Sequence, residues 1–232
     1  MRKKLLMLMI LICGCSTKQE SKLLNTDSAI SIVEPQHVYD SLSTKECEHL
    51  NLSKSFNIKV NFKRYKSMKE EQDSCIVKLF LTNKITKKLV DSISILSHFY
   101  FSDTFMDCKN VLSYSTRQNI EKDIVDNYYG DIVIADLNFD NKEDIAVIND
   151  SGGNGGTFYS YFIQTPNQKF IPERFLTDSM IYFPTKIDYK TKTLVTYVHA
   201  SVCEMGENIY QLDKNTGKWD NKAHKLINVC NK

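Results

Sequence analysis

Phe56-Asn57-Ile58-Lys59-Val60-Asn61-Phe62-Lys63-Arg64-Tyr65 is the stretch that decides the fold class. Apolar side chains stand at every second place from Phe56 to Phe62, with Asn and Lys between them. A period of two puts the apolar set on one face of a pleated strand and the polar set on the other. Residues 75–82 and 88–96 repeat the pattern and read as a hairpin around Asn83-Lys84. Residues 97–130 show no clear period; a loop and one short helix at 116–127 are expected there. Beyond them, 130–135 and 145–148 read as short apolar strands. Residues 157–164 pair with 169–174 across Thr165-Pro166-Asn167-Gln168. Residues 181–188 turn at Tyr189-Lys190-Thr191-Lys192 into 193–200, and 208–212 turn at 213–217 into Lys218-Trp219. Hairpins at roughly even spacing, without a repeat of fixed period, predict an all-β chain. Its antiparallel hairpins are expected in a propeller-like or curled meander arrangement.

The N-terminus has a different composition. Arg2, Lys3 and Lys4 precede an unbroken apolar run at 5–12, too short to span a bilayer and about right for a secretory signal. Ile12-Cys13-Gly14-Cys15 follows and resembles a bacterial lipobox. Residues 1–14 are therefore expected to be a lipoprotein signal peptide, with Cys15 the lipidated residue and the membrane its first partner. Residues 15–50 are expected to form a tether and variable segment, and 51–232 the β domain. Without residues 1–14, 27 basic side chains face 28 acidic ones, which gives no field that argues for nucleic acid. The expected location is the bacterial cell envelope. Ser16, which is not an acidic retention signal, favours the outer membrane. Cysteines remain at 47, 75, 108, 203 and 230; their order suggests 75 with 108 and 203 with 230, although spacing cannot fix connectivity.

Two stretches carry chemistry. In Asp136-Leu137-Asn138-Phe139-Asp140-Asn141-Lys142-Glu143-Asp144, oxygen side chains fall at positions 1, 3, 5 and 9. Calcium takes six to eight oxygens, and a tight loop of alternating Asp and Asn turns such side chains towards one centre. Asp136, Asn138, Asp140 and Asp144 are the candidate side-chain ligands, Lys142 would offer its carbonyl, and Asn141 suits a left-handed backbone. Val147 stands where an EF-hand has Glu, and strands rather than helices flank the loop. The alternative is a polar turn held by Asx hydrogen bonds. Ser151-Gly152-Gly153-Asn154-Gly155-Gly156-Thr157-Phe158-Tyr159 follows. It lacks the Gly-Lys-Ser/Thr of a phosphate loop. It reads either as a loose hairpin tip or as a backbone built to meet a partner closely, with Phe158 and Tyr159 as candidate anchors.

The order of the Asp/Asn loop, the Gly-rich turn, Tyr159-Ser160-Tyr161-Phe162, the hairpin at Lys169-Phe170, Lys192-Thr193-Leu194 and Glu207-Asn208-Ile209-Tyr210 resembles a family of bacterial periplasmic lipoproteins. That family includes calcium-binding immunity proteins against peptidoglycan hydrolases and is similar to the periplasmic inhibitors of i-type lysozyme. The resemblance covers about residues 130–220. It implies a propeller-like all-β fold, bound calcium, no catalysis, and a peptidoglycan hydrolase as partner, with Ser151-Gly152 placed like the loop that enters a lysozyme cleft. Neither Gly-x-Ser-x-Gly nor His-Glu-x-x-His occurs, so an enzyme is not expected. A second class of function stays open: a calcium-stabilised surface module, like an FG-GAP repeat, that binds glycan or another envelope protein.

Overall fold

The computed structural model describes residues 40–66, 73–213 and 215–230. The signal segment at 1–14, the anchor Cys15 and the first part of the expected tether lie outside the described residues. Among the described residues, thirteen strands form three open sheets in chain order. The first holds β1 (Asp40–His49), β2 (Phe56–Lys66), β3 (Ser74–Asn83) and β4 (Leu89–Ser97), paired antiparallel in sequence. The second holds β5 (Val111–Ser113), β6 (Ile132–Ala135), β7 (Asp144–Ser151), β8 (Thr157–Gln164) and β9 (Phe170–Pro172). Its β5–β6 pair is parallel and the rest antiparallel. The third is the antiparallel meander β10 (Lys186–Asp188), β11 (Thr193–Ser201), β12 (Glu204–Leu212) and β13 (Trp219–Asn228). The chain is all-β, a series of mostly antiparallel meanders.

The pattern that predicts β2 also positions it. Phe56, Ile58, Val60 and Phe62 are buried, while the residues between them are half-buried or exposed. Cys75, Val77, Leu79 and Leu81 of β3 lie on the same inner face, with Ile93 and Ile95 of β4. The middle sheet is different. All four residues of β6 and the first five of β7 are buried, so both faces are covered and the alternation disappears. β4 is tied to this sheet where the His98 N–H donates to the Asn149 carbonyl at 2.7 Å and the Phe170 N–H donates to Asp91 Oδ2 at 2.6 Å. One continuous apolar core runs from Cys47 and Leu52 through Tyr159 and Phe183 to Leu194 and Trp219.

Several elements differ from the sequence reading. Residues 116–127 form turns, not a helix. Arg117, Asn119, Asp126 and Asn127 take positive φ there, which breaks any helical run. The strands begin before residue 51: β1 lies within the segment expected to be tether, and Asp40-Ser41-Leu42-Ser43-Thr44-Lys45-Glu46 gives it no apolar alternation. β13 extends nine residues past Trp219, and its positions 220–226 are all exposed. A single π-helical turn, Leu176–Met180, buries Leu176 and Met180 under β8. No helix among the described residues is long and apolar enough to cross a membrane.

The disulfides include one expected pairing, Cys203 with Cys230, and correct the other. Cys47 on β1 bonds Cys108, with Cα atoms 5.5 Å apart, and Cys203 bonds Cys230 at 5.0 Å. Cys75 is a free thiol. It faces the core beside Val77 and is fully buried, so Cys108, on the connection after β4, cannot reach it without opening the sheet. Burial pushes its thiol up to about 12, which leaves it an inert apolar filler.

Candidate functional site

The Asp/Asn loop joins β6 to β7, and backbone N–H groups hold its shape. Asp136 Oδ1 accepts from the Asp140 N–H at 3.0 Å and its Oδ2 from the Asn141 N–H at 2.9 Å. Asn138 Oδ1 accepts from the Asp140 N–H at 3.1 Å, and Asp140 Oδ1 from the Lys142 N–H at 2.9 Å. These bonds need a chain that doubles back twice. Phe139 and Asn141 supply the turns with φ of 61° and 65°. Leu137 and Phe139 are buried, so the loop is pinned by its alternate apolar residues. Phe139 packs edge-on against Tyr189 and beside Trp219. Lys192 crosses from the third sheet, donates to the Phe139 carbonyl at 2.9 Å, and lies over its ring.

The carboxylates of this loop have unequal roles. Asp144 is fully buried: its Oδ2 accepts from the Leu137 and Asn138 N–H groups, and its Oδ1 from the Gln164 N–H of β8. Burial pushes it up to about 7 against those three bonds. With both oxygens engaged by backbone N–H groups, Asp144, expected as a fourth side-chain ligand, is instead the anchor that ties the loop to the sheet. Asp136 is also raised by burial, opposed by its backbone donors. Asp140 is more open; burial would raise it, but the Lys142 ammonium, 2.6 Å from Oδ2, and the Lys142 N–H bring it below the ordinary carboxylate range. Among the described residues no group of three His, Cys, Asp or Glu side chains is already drawn together as a metal cage. The donor set nevertheless fits a hard cation: Asp136, Asn138, Asp140 and the Lys142 carbonyl are all oxygen donors, and a carboxylate oxygen with one N–H partner keeps a lone pair. The Lys142 ammonium would have to swing off Asp140 as the ion enters.

Glu143, which the sequence reading passed over, is a second anchor. Its Oε2 accepts from the Ser53 hydroxyl and the Ser55 N–H, and its Oε1 from the Lys54 N–H, all within 3.1 Å. The loop is thereby bolted to the β1–β2 connection of the first sheet. A Glu between Lys142 and Asp144 gives no sequence signal for this role, because its partners, Ser53 to Ser55, lie 88 to 90 residues away.

The Gly-rich stretch is a braced tip. Residues Gly153–Gly155 form one 3₁₀ turn. The Gly152 N–H donates to the Gly156 carbonyl at 2.7 Å, which closes the base. Asn127 Nδ2 donates to the carbonyls of Gly155 and of Tyr197 at 3.0 Å each, tying the tip to β11. Three glycines are needed for close approach. A Cβ on Gly152 would fall 2.5 Å from the Phe158 ring, one on Gly155 2.6 Å from the Tyr182 hydroxyl, and one on Gly156 2.3 Å from the Asp126 carbonyl. Gly153, by contrast, points into open space with φ of 58°. Ser151, Gly152 and Gly153 are exposed, and Asn154 lies within the turn.

The two aromatic candidates part company. Phe158 is half-buried, edge-on to Tyr182 beside the tip. Tyr159 is fully buried, and its hydroxyl accepts from the Tyr129 N–H and donates to the Gly130 carbonyl, each at 3.0 Å. It is a core residue and cannot be a partner-binding anchor; successive strand residues face opposite ways, and only Phe158 faces the tip's outer side.

No family model matches this chain, and a comparison with curated proteins gives no match either. A solved structure described as a Xanthomonas type IV secretion system related protein is similar over 83% of this chain and 88% of its own, at 12% identity and a TM-score of 0.49.

Proposed function

We propose that the protein is a lipid-anchored calcium-binding protein of the bacterial envelope, of the outer membrane by preference, that acts by binding and inhibiting a cell-wall hydrolase of the lysozyme type. The reading is non-enzymatic. The observation that carries it is the braced tip at 151–156, which stands exposed while its base is fixed by hydrogen bonds and by glycine contacts with Phe158, Tyr182 and Asp126. A tip already held in one shape loses little conformational entropy on entering a cleft, so a small contact can bind well. The calcium-type loop shares strand β7 with the tip, so an ion held by Asp136, Asn138, Asp140 and the Lys142 carbonyl would stiffen one end of the strand that carries the tip at the other. Two disulfides among the described residues agree with an oxidising compartment.

The test is inhibition of a panel of lysozymes and other peptidoglycan hydrolases by the lipid-free protein, repeated with Ser151→Trp and Gly153→Phe. Neither change strikes the core: Ser151 is exposed, and a Cβ at Gly153 meets nothing within 4 Å, so the cost of Gly153→Phe is the left-handed backbone alone, about 1–2 kcal/mol, and Ser151→Trp is the unstrained control. Gly155 is a poor probe, since any side chain there strikes Tyr182. Inhibition by the parent protein that falls at least tenfold in both variants, with melting temperature within a few degrees of the parent, is the expected result. Inhibition that survives both changes removes the tip as the contact. Absence of inhibition across the panel removes the hydrolase reading.

A further inference from the structure

A groove lies beside the tip, between the turn at 120–127 and the outer edge of β11. Two hollows of about 440 and 530 Å³ adjoin there and share Asp126 and His199 in their walls. The larger opens past Gly153 to the β11–β12 tip. The smaller is lined by the half-buried Tyr114 and Tyr197 and the buried Tyr129, with Ile120, Ile124 and Met205 among its apolar lining. We infer that this groove is a binding site for a cationic side chain, arginine or lysine, of a partner protein, with Asp126 as the residue that recognises its charge.

Three observations support the assignment. Asp126 is the one carboxylate in the walls of both hollows, and among the described residues its carboxylate has no hydrogen-bond or ion-pair partner. Its placement is enforced. Asp126 and Asn127 both take left-handed backbone, φ 48° and 54°, and are clamped by Asn127 Nδ2 on Gly155 and Tyr197, by the Thr157 hydroxyl on the Asn127 carbonyl, and by the missing Cβ of Gly156 under the Asp126 carbonyl. Left-handed residues in this number persist only where the surroundings hold them. The rim is also acidic. Glu121 and Asp123 lie on the bordering turn, Glu207 on the neighbouring β12 accepts from the Tyr197 hydroxyl that lines the smaller hollow, and the lysine of the turn, Lys122, is directed to Asn110 and to the Tyr128 ring. A long cationic side chain suits such a place: its methylenes lie along apolar walls, its charge meets the carboxylate, and tyrosine faces add cation–π attraction.

The inference rests on the reading of the protein as a binder of another protein, not on the partner's being a hydrolase. The probe is N-acetyl-L-arginine amide, titrated into the lipid-free protein and followed by NMR, with N-acetyl-L-glutamine amide and neutral chitotriose as comparators. Saturable shifts centred on Tyr197, His199 and Met205 are expected with the arginine probe, weakening as salt rises. Asp126→Asn, which keeps the left-handed preference, should weaken binding at least tenfold. Ile124→Lys, at a partly exposed wall position, should do the same by filling the groove with its own cation. Equal binding of the glutamine amide, binding unchanged in both variants, chitotriose bound there in place of arginine, or no binding at tens of millimolar would each overturn the inference. Arginine binding without inhibition of any hydrolase would keep this site and discard only the hydrolase as partner.

Discussion

Asp131 shows how a single buried carboxyl sets a pH dependence. It is almost fully buried just before β6; the Tyr128 hydroxyl donates to its Oδ1, and among the described residues Oδ2 has no hydrogen-bond partner. Burial pushes its carboxyl up to about 7, against the Tyr128 bond and the charge of Lys122. In the unfolded chain the same group ionises near pH 4. Below that pH both states are protonated and the group is neutral to stability. Between about 4 and 7 the unfolded chain has lost its proton and the folded one has not, so stability falls as pH rises, by up to about tenfold in the folding equilibrium per unit crossed. Above about 7 the loss is complete. Asp131→Asn removes the titration while keeping an oxygen for Tyr128. The variant should therefore gain on the parent protein as pH rises from 4.5 to 7.5. Asp144 titrates in the same window, so the measurement is the difference between the two proteins' denaturant midpoints at each pH. A constant difference would mean that Asp131 is already ionised in the fold at low pH.

At the scale of elements, the Asp/Asn loop is both a turn and a candidate ion site, and the two roles predict different responses. A ligand that binds only the folded chain adds about 2.7 kcal/mol at a hundredfold excess over its Kd. If calcium sits on Asp136, Asn138, Asp140 and the Lys142 carbonyl, a chelator should lower the melting temperature, and Asp140→Ala should abolish that response while costing little else, since Asp140 is half-buried and, among the described residues, its carboxylate bonds Asn138 and Lys142. A melting curve indifferent to chelator leaves the loop as an Asx turn whose carboxylates are met by N–H groups and Lys142. Local pattern made this loop legible: alternating oxygens, alternating apolar pins, and Asn where the backbone goes left-handed all lie within nine residues. β2, β3 and β4 were legible for the same reason, since one face of each is buried and the period is visible; β8 shows that period only in its first half. β1 and β13 were not, because they are edge strands whose residues mostly meet water. Nor was Glu143, nor the groove at Asp126, where residues 120–127 meet β11 only in the fold. The pairing of Cys47 with Cys108 shows the same limit: β1 had to be seen before Cys47 could be placed beside its partner. Tyr159 was misread for a smaller reason. Next to an exposed tip, strand alternation alone does not say which of two neighbouring aromatics faces inwards.

For the whole molecule the question is where it works. Cys47–Cys108 ties β1 of the first sheet to the connection that leads into the second, and Cys203–Cys230 closes the β11–β12 tip onto the end of β13. Bonds of this kind persist outside the reducing cytoplasm. That agrees with the proposal that Cys15 is a lipid anchor, which the N-terminal composition suggests independently. The physical argument concerns the number of chains. One acyl chain holds a protein to a bilayer only marginally, while two or more hold it firmly. A lipidated Cys15 should therefore keep the protein in the membrane fraction through salt washes that strip electrostatically bound proteins. Cys15→Ala removes the acceptor sulfur without touching the strands, the disulfides or the tip, all of which lie beyond residue 39. The variant should move to the soluble fraction or accumulate as an uncut precursor about fourteen residues longer, by the length of the signal segment, and in soluble form it should keep the parent's chelator response and any inhibitory activity. Fractionation and intact mass measure both outcomes. A Cys15→Ala protein of mature size that stays with the membrane would show that another feature holds it there, and the lipid anchor would have to be given up while the β fold and its tip stand unchanged.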